Sequence, residues 1–236
     1  MRKLLVFLCS MVLVFLGTAN VYGETFFDDF NDGDADGWVF PYYPGQSQGP
    51  GDWSVENGEL VQWYSGDGNS GLVDNLLIGD QAIEVQARTN GYAGVVLWYQ
   101  QVDDTWANYV AVDYNVQTGL AVREVIDGQA DRYIYGGSWI GNDFDLRVEA
   151  DSATGELKVS IYSNTISRND TFTYSVDTTY RTGLSGVFSG NAVGYFDDFR
   201  LTSDDIAPIP EPATILLLST GLIGLAGWGR KKFKKN

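Results

Sequence analysis

The stretch Phe144-Asp145-Leu146-Arg147-Val148-Glu149-Ala150 alternates apolar and polar residues without a break. After the turn signal Thr154-Gly155, Leu157-Lys158-Val159-Ser160-Ile161 does the same. A period of two marks a strand with one face buried and the other in water. Ile83-Glu84-Val85-Gln86-Ala87 repeats the pattern. Gly94-Val95-Val96-Leu97-Trp98-Tyr99 and Tyr109-Val110-Ala111-Val112-Asp113-Tyr114 are more continuously apolar, as central strands of a sandwich require. Turn signals at Glu56-Asn57-Gly58, Thr118-Gly119, Asp127-Gly128 and Thr182-Gly183 punctuate these runs. Away from its two ends the chain sustains no 3.6-residue pattern. About a dozen short strands in one domain predict an all-β fold, an antiparallel two-sheet sandwich.

The two ends read differently. Arg2 and Lys3 precede a 13-residue apolar run, Leu4 to Leu16, and small residues around Val21 and Gly23 follow. The run is too short to span a bilayer and predicts a secretory signal peptide over residues 1–23. Cys9 lies inside it, so the mature chain is expected to hold no cysteine and no disulfide. At the other end stand Pro210-Glu211-Pro212, a 17-residue uncharged span from Ala213 to Gly229, and the basic residues Arg230, Lys231, Lys232, Lys234 and Lys235. As a C-terminal hydrophobic helix the span would run roughly 26 Å, close to the ~30 Å of a bilayer core. The basic cluster would stay cytoplasmic and leave the folded part outside the membrane.

The order tripeptide, apolar span, basic end resembles the PEP-CTERM sorting signal. The resemblance implies recognition by an exosortase-type transpeptidase, transient membrane anchoring through the helix, and cleavage near Pro210, Glu211 and Pro212. It also implies a Gram-negative bacterium that makes extracellular polysaccharide. Residues 207–236 are therefore read as a sorting and anchor segment, and residues 24–206 as the exported domain.

That domain is strongly acidic. All 31 acidic residues but only eight of the 15 basic ones fall within residues 24–212, a net charge of −23. Phosphate backbones would be repelled, so nucleic acid is excluded as a partner. Histidine is absent from the chain, which excludes Ser-His-Asp and Cys-His catalysis and histidine zinc sites.

One element occurs twice: Phe27-Asp28-Asp29-Phe30 opens the domain and Phe196-Asp197-Asp198-Phe199 closes it. The expected meaning is that first and last strands lie side by side and close a sheet. The order Phe27-Asp-Asp-Phe30, Asp36-Gly-Trp38, Trp53-Ser-Val-Glu-Asn-Gly-Glu-Leu60, Gly94-Val-Val-Leu-Trp-Tyr99, Leu146-Arg-Val148 and Phe196-Asp-Asp-Phe199 resembles the concanavalin A-like, laminin G-like jelly rolls of secreted bacterial proteins. That resemblance implies a jelly-roll sandwich over residues 24–206. The superfamily holds sugar-binding modules, adhesive domains and glycoside hydrolases.

Three sets of residues are candidates for function. Asp32-Gly33-Asp34-Ala35-Asp36-Gly37 starts like a calcium loop, but Tyr43 stands where the closing glutamate should be. Strand alternation turns Asp28 to the side of Phe30, and Asp197 to the side of Phe199 and Leu201. A carboxylate turned inward needs either a cation or several donors. Asp28, Asp29, Asp32, Asp34, Asp197 and Asp198 are thus the ligand pool for a structural calcium ion; loop amides or arginine are the alternative. Trp98, Tyr99, Trp106, Tyr109, Tyr133, Tyr135 and Trp139 are candidates for stacking on sugar rings, with core packing as the alternative. No catalytic residues are assigned. Laminarinase-like jelly rolls carry a Glu-x-Asp strand with a further glutamate, and after Glu149-Ala150-Asp151 that position holds Ala153 or Thr154. The expectation is a non-catalytic, carbohydrate-binding protein of the cell surface or extracellular matrix. A laminarinase-like glycoside hydrolase and a purely structural matrix protein are the alternatives.

Overall fold

The alternating runs pair into two antiparallel sheets. A computed structural model describes residues 24–41, 52–63, 68–102, 107–127, 129–134, 140–163 and 165–203, all within the unit Tyr22–Ile206. The leader, the Pro210-Glu211-Pro212 tripeptide and the C-terminal span lie outside the described residues. One sheet orders β13 (Arg168–Ser175), β12 (Glu156–Ser163), β11 (Asp143–Ala150), β6 (Gln81–Thr89), β15 (Gly194–Thr202), β4 (Glu59–Gln62) and β3 (Trp53–Glu56), with β1 (Glu24–Asp28) also on β15. The other orders β10 (Gln129–Ile134), β9 (Gly119–Ile126), β8 (Ala107–Asn115), β7 (Tyr92–Gln101), β14 (Leu184–Gly190), β5 (Asn69–Val73) and β2 (Trp38–Val39).

The period-two residues form the core. Val85, Leu146, Val148, Leu157, Val159 and Ile161 face inward from the eight-stranded sheet. Val95, Leu97, Val110, Val112 and Val122 meet them from the seven-stranded sheet. Removing these side chains from water at ~25 cal/mol per Å² is the main force holding the layers together. Asn57 and Gly58, with φ of 56° and 81°, make the tight turn that joins β3 to β4. Thr182-Gly183, read as a turn, instead contributes an isolated bridge from Gly183 to Ile78.

Among the described residues, bulges in β15 and in β7 interrupt the alternation, and each corrects a sequence reading. In β15 the register with β6 slips between Asp197 and Arg200, where Asp198 takes a φ of 46°. The extra residue lets Phe196 and Phe199, three apart, both face the core. Asp197 therefore does not share a face with Phe199 as alternation predicts; it sits half-buried on the outer side. In β7 the register with β8 slips between Leu97 and Gln100, and Trp98 has a φ of 55°. Leu97 and Trp98 both point into the core, and Tyr99 turns outward.

The repeated Phe-Asp-Asp-Phe element does bring first and last strands together. β1 pairs antiparallel with β15, Phe26 opposite Leu201 and Asp28 opposite Phe199. It closes no sheet edge, because β15 is internal, flanked by β6 on one side and by β4 and β1 in succession on the other. The two copies also differ: Phe27 is 43% exposed, whereas Phe196 is fully buried.

At the other end of β15, Gln62 is completely buried and neither end of its amide has a hydrogen-bond partner. The indole nitrogen of Trp53, directly opposite on β3, and Nδ2 of Asn69 are also unpartnered. An unmet buried polar group costs about 1–3 kcal/mol, while an apolar group of the same shape does not. Gln62→Met should therefore raise stability by about 1–2 kcal/mol, read as a higher urea midpoint at constant slope. A fall in the midpoint would mean that the amide is hydrated in the native state.

Candidate functional site

The outer face of the seven-stranded sheet carries a second apolar cluster, separate from the core between the layers. Leu72, Tyr92, Val96, Tyr99, Ala111 and Phe188 form it, with Tyr109 packed against them. Its rings make a continuous row across three strands. Tyr92 stacks on Phe188 at 5.8 Å, Phe188 meets Tyr109 at 6.2 Å, and Tyr109 stacks on Tyr99 at 6.0 Å. Tyr99 joins the row because of the bulge at Trp98. Gly190 makes room for the Tyr92 ring, which a Cβ there would meet at 2.3–2.6 Å. Gly68 makes room for Phe188 in the same way and donates its amide to the Tyr92 hydroxyl.

One ion pair is set into this row. Asp113 on β8 is fully buried and accepts from Nε and Nη2 of Arg123 on β9, at 2.6 and 3.1 Å. The guanidinium lies 4.4 Å from the Tyr92 ring centre and 5.5 Å from that of Phe188. Burial alone would lower the Arg123 pKa; the Asp113 carboxylate outweighs it, and the net shift is upward. Burial likewise pushes the Tyr109 phenol well above its ordinary range, against the pull of Arg123. Both groups thus present donors throughout the physiological pH range. Ser70, opposite Phe188 on β5, adds a buried hydroxyl without a partner. Tyr92, Tyr99, Phe188 and Ser70 are buried, and Tyr109 is the ring of the row that reaches the surface, beside the Arg123 guanidinium. A partly exposed ring beside fixed donors suits a ligand that is apolar on its faces and polar at its edges.

The sequence-predicted residues divide between this site and structural roles. Tyr99 and Tyr109 are in the row. Trp98 is a correction: it is fully buried in the core and its indole donates to the Gly79 carbonyl at 2.8 Å, so no sugar can stack on it. Trp106, Tyr135 and Trp139 lie outside the described residues, and Tyr133 is placed only by its backbone pairing with Val122. Tyr92, Phe188, Asp113 and Arg123 escaped the sequence reading. The signal available for them was a lone aspartate in the otherwise apolar Val110-Ala111-Val112-Asp113-Tyr114 run.

The aspartates are gathered at another corner and act there as hydrogen-bond acceptors. Asp28 does point inward, as alternation predicts. Its carboxylate accepts from the Phe30 amide at 2.8 Å and from the Trp38 indole at 2.7 Å. Trp38 in turn packs against Phe26, Phe30 and Phe199, which ties β2 of one sheet to β1 and β15 of the other. Asp29, Asp32 and Asp34 each accept from the amide two residues on, Asp197 from the amide of Asp198, and Asp198 from Gln86. Among the described residues no three His, Cys, Asp or Glu side chains are arranged to hold a metal ion. As placed, these carboxylates cap turns and hold the Trp38 indole and the Gln86 amide.

Burial raises the pKa of Asp28 and of Asp197, and the charges of Asp29, Asp32, Asp198 and Glu59 add to the rise. With a raised folded-state pKa, each carboxyl favours the folded state most when protonated. That contribution is present at acid pH and is lost as pH rises through the folded values. Asp28→Asn should cost about 1 kcal/mol at neutral pH, and Asp28→Ala about 2–3, because alanine leaves an indole and an amide without acceptors. Chelators should leave the melting temperature unchanged; a clear fall would restore a structural ion at this corner.

The fold is shared with proteins of known structure. The carbohydrate-binding module CBM66 from Bacillus subtilis superposes with a TM-score of 0.53 and 15% identity, over 71% of this chain and 96% of that one. Basic winged bean lectin gives 0.52 and 9%, over 75% and 96%. Xylan β-1,4-xylosidase from Bacillus halodurans C-125 gives 0.54 and 14% over 75% of this chain, which spans only 39% of that enzyme. The described domain thus has the all-β jelly-roll sandwich fold of these proteins. Residues 208–231 match the PEP-CTERM protein-sorting motif, so the chain carries a C-terminal signal for export and sorting. No curated protein sequence matches the chain.

Proposed function

We propose that this is an exported protein of the cell surface or extracellular matrix whose sandwich binds polysaccharide without cleaving it. The observation that carries the reading is the Tyr92–Phe188–Tyr109–Tyr99 row with Arg123 and Asp113 set into it. Tyr109 is the ring of the row that retains partial exposure, and Arg123 keeps 18% of its side chain accessible. In this reading a sugar ring stacks on Tyr109 while its hydroxyls take hydrogen bonds from Arg123 and from the Tyr109 phenol. Several structural neighbours are described as lectins or as a carbohydrate-binding module, which supports the same ligand class. Against catalysis, Glu149 is engaged by Arg147, and Asp151 caps its own turn by accepting from the Thr154 amide.

The sorting motif supplies the address. The leader takes the chain across the inner membrane of a Gram-negative bacterium. The span 213–229 anchors it briefly, and an exosortase-type transpeptidase processes it near Pro210-Glu211-Pro212. The mature mass from the native host should lack both the leader and the apolar span; retention of the span would remove the processing step.

For binding, the exported protein should retain at least one polysaccharide in a glycan array. Tyr109→Ala should weaken that binding about tenfold or more, while Tyr109→Phe, which keeps the ring, should stay within a few-fold. Absence of binding to every glycan, or release of sugar from a bound one, would defeat the proposal.

A further inference from the structure

The opposite face of the sandwich has a different surface. Of the eight basic residues between the terminal segments, Arg88, Arg147, Lys158 and Arg200 lie on the outer side of the eight-stranded sheet. Carboxylates stand beside them: Arg88 pairs with Glu59, Arg147 with Glu84 and Glu149, and Lys158 with Glu156. Exposed pairs of this kind add little stability. They offset part of the negative charge on this face of a strongly acidic domain.

Two adjoining grooves run over this face, of 630 and 450 Å³, and Arg147 borders both. Each volume is within the range of about 300–1,000 Å³ usual for a ligand cleft. Across the first, Lys158, Glu149, Ala82 and Thr202 stand opposite one another in turn on β12, β11, β6 and β15. The second is bordered by Phe27 and Tyr162, which are 43% and 38% exposed, and by the amides of Gln86 and Asn169. The Arg200 guanidinium lies 5.1 Å from the Phe27 ring centre. Asp198, set by the β15 bulge, holds the Gln86 amide at 3.1 Å. The bulge that buries Phe199 thus also fixes a polar group in the groove. The two linings together carry seven carboxylates against Arg147, Lys158 and Arg200, so an acidic polysaccharide would be repelled, while exposed rings and fixed amides suit a chain of neutral sugar units.

We propose that this groove is a second glycan-binding surface, for an extended uncharged polysaccharide, so that one domain grips two chains on opposite faces and cross-links them. The proposal rests on the carbohydrate-binding reading above. The test uses the exported protein with three neutral soluble probes, a β-1,4-glucan, a galactomannan and a xylan, and measures both retention on an immobilised polymer and light scattering of the free polymer. The wild type should cross-link a bound probe and raise its scattering. The double variant Phe27→Ala/Tyr162→Ala, which alters exposed side chains only, should lose the scattering rise and about 10–100-fold of its retention, because the second contact no longer adds to the first. It should still bind single oligosaccharides at the Tyr109 row, with about half the wild-type stoichiometry, whereas Tyr109→Ala should keep only the groove's share. Cross-linking that survives in the double variant, or a wild type that binds without cross-linking, overturns the second surface and leaves the first standing. A wild type that binds none of the three probes overturns the second surface, and the first falls with it only when every glycan of the array also fails to bind.

Discussion

Asp113→Ala should unfold the domain at markedly lower urea, with a loss of about 3–5 kcal/mol, the range seen when one member of a buried ion pair is removed. The carboxylate is fully buried and accepts two hydrogen bonds from Arg123. Without it a guanidinium is left among the rings of Tyr92 and Phe188. Those rings attract a cation by about 0.5–2 kcal/mol, so they offset part of the loss and do not cancel it. A domain stable by roughly 5–15 kcal/mol would lose a large share of its margin. The double variant Asp113→Leu/Arg123→Met removes both charges and should recover most of the stability. It should also abolish glycan binding at the Tyr109 row, which separates the structural from the recognition role of the pair. Salt should alter the wild-type value little, because a buried pair is poorly screened. A loss below about 1 kcal/mol for Asp113→Ala would mean that the pair is hydrated and behaves as a surface ion pair.

Trp98→Ala should cost a similar amount, about 3–5 kcal/mol, through lost packing and the cavity left behind. The side chain is fully enclosed and its indole satisfies the Gly79 carbonyl. Its backbone, at a φ of 55°, is in the left-handed region, where a Cβ costs roughly 1–2 kcal/mol. Trp98→Gly should therefore be no less stable than Trp98→Ala, and better by up to about 1 kcal/mol, although it removes one more carbon. The ordinary order, with alanine the milder substitution inside a strand, would show that the bulge relaxes once the indole is gone. In that case Tyr99 would turn away from Tyr109, and glycan retention would fall together with stability.

Much of the sandwich was legible because burial on one face imposes a period of two, and that period survives in the letters. The runs 83–87, 144–150 and 157–161 became β6, β11 and β12 with the expected residues inside. The bulges were far less legible. An inserted residue reverses the facing of everything after it, yet it is stabilised by the neighbouring strand and needs no glycine of its own. One trace did exist: Phe196 and Phe199 stand three apart where two inward residues of a regular strand stand two apart. The same phase reversal misplaced Asp197 and made Trp98 look like a surface ring. The corner aspartates show another limit. Their types and spacing suit a cation and turn amides equally, and the choice depends on where Phe30 and Trp38 bring their N–H groups.

By itself, then, the sequence determined what is local and periodic. That includes the strand runs, the Asn57-Gly58 turn, the strong acidity of residues 24–212 and the contiguous PEP-CTERM sorting motif. Each of these depends on residues next to or near one another in the chain. The tertiary structure decided what depends on distant partners: β15 held between β6 and the successive pair β4 and β1, Arg123 locked on Asp113, and four rings from β7, β8 and β14 aligned on one face. Those contacts join residues as far apart in the chain as Glu24 and Thr202, and their geometry is set by strand register, which a single bulge can shift and which no local pattern records.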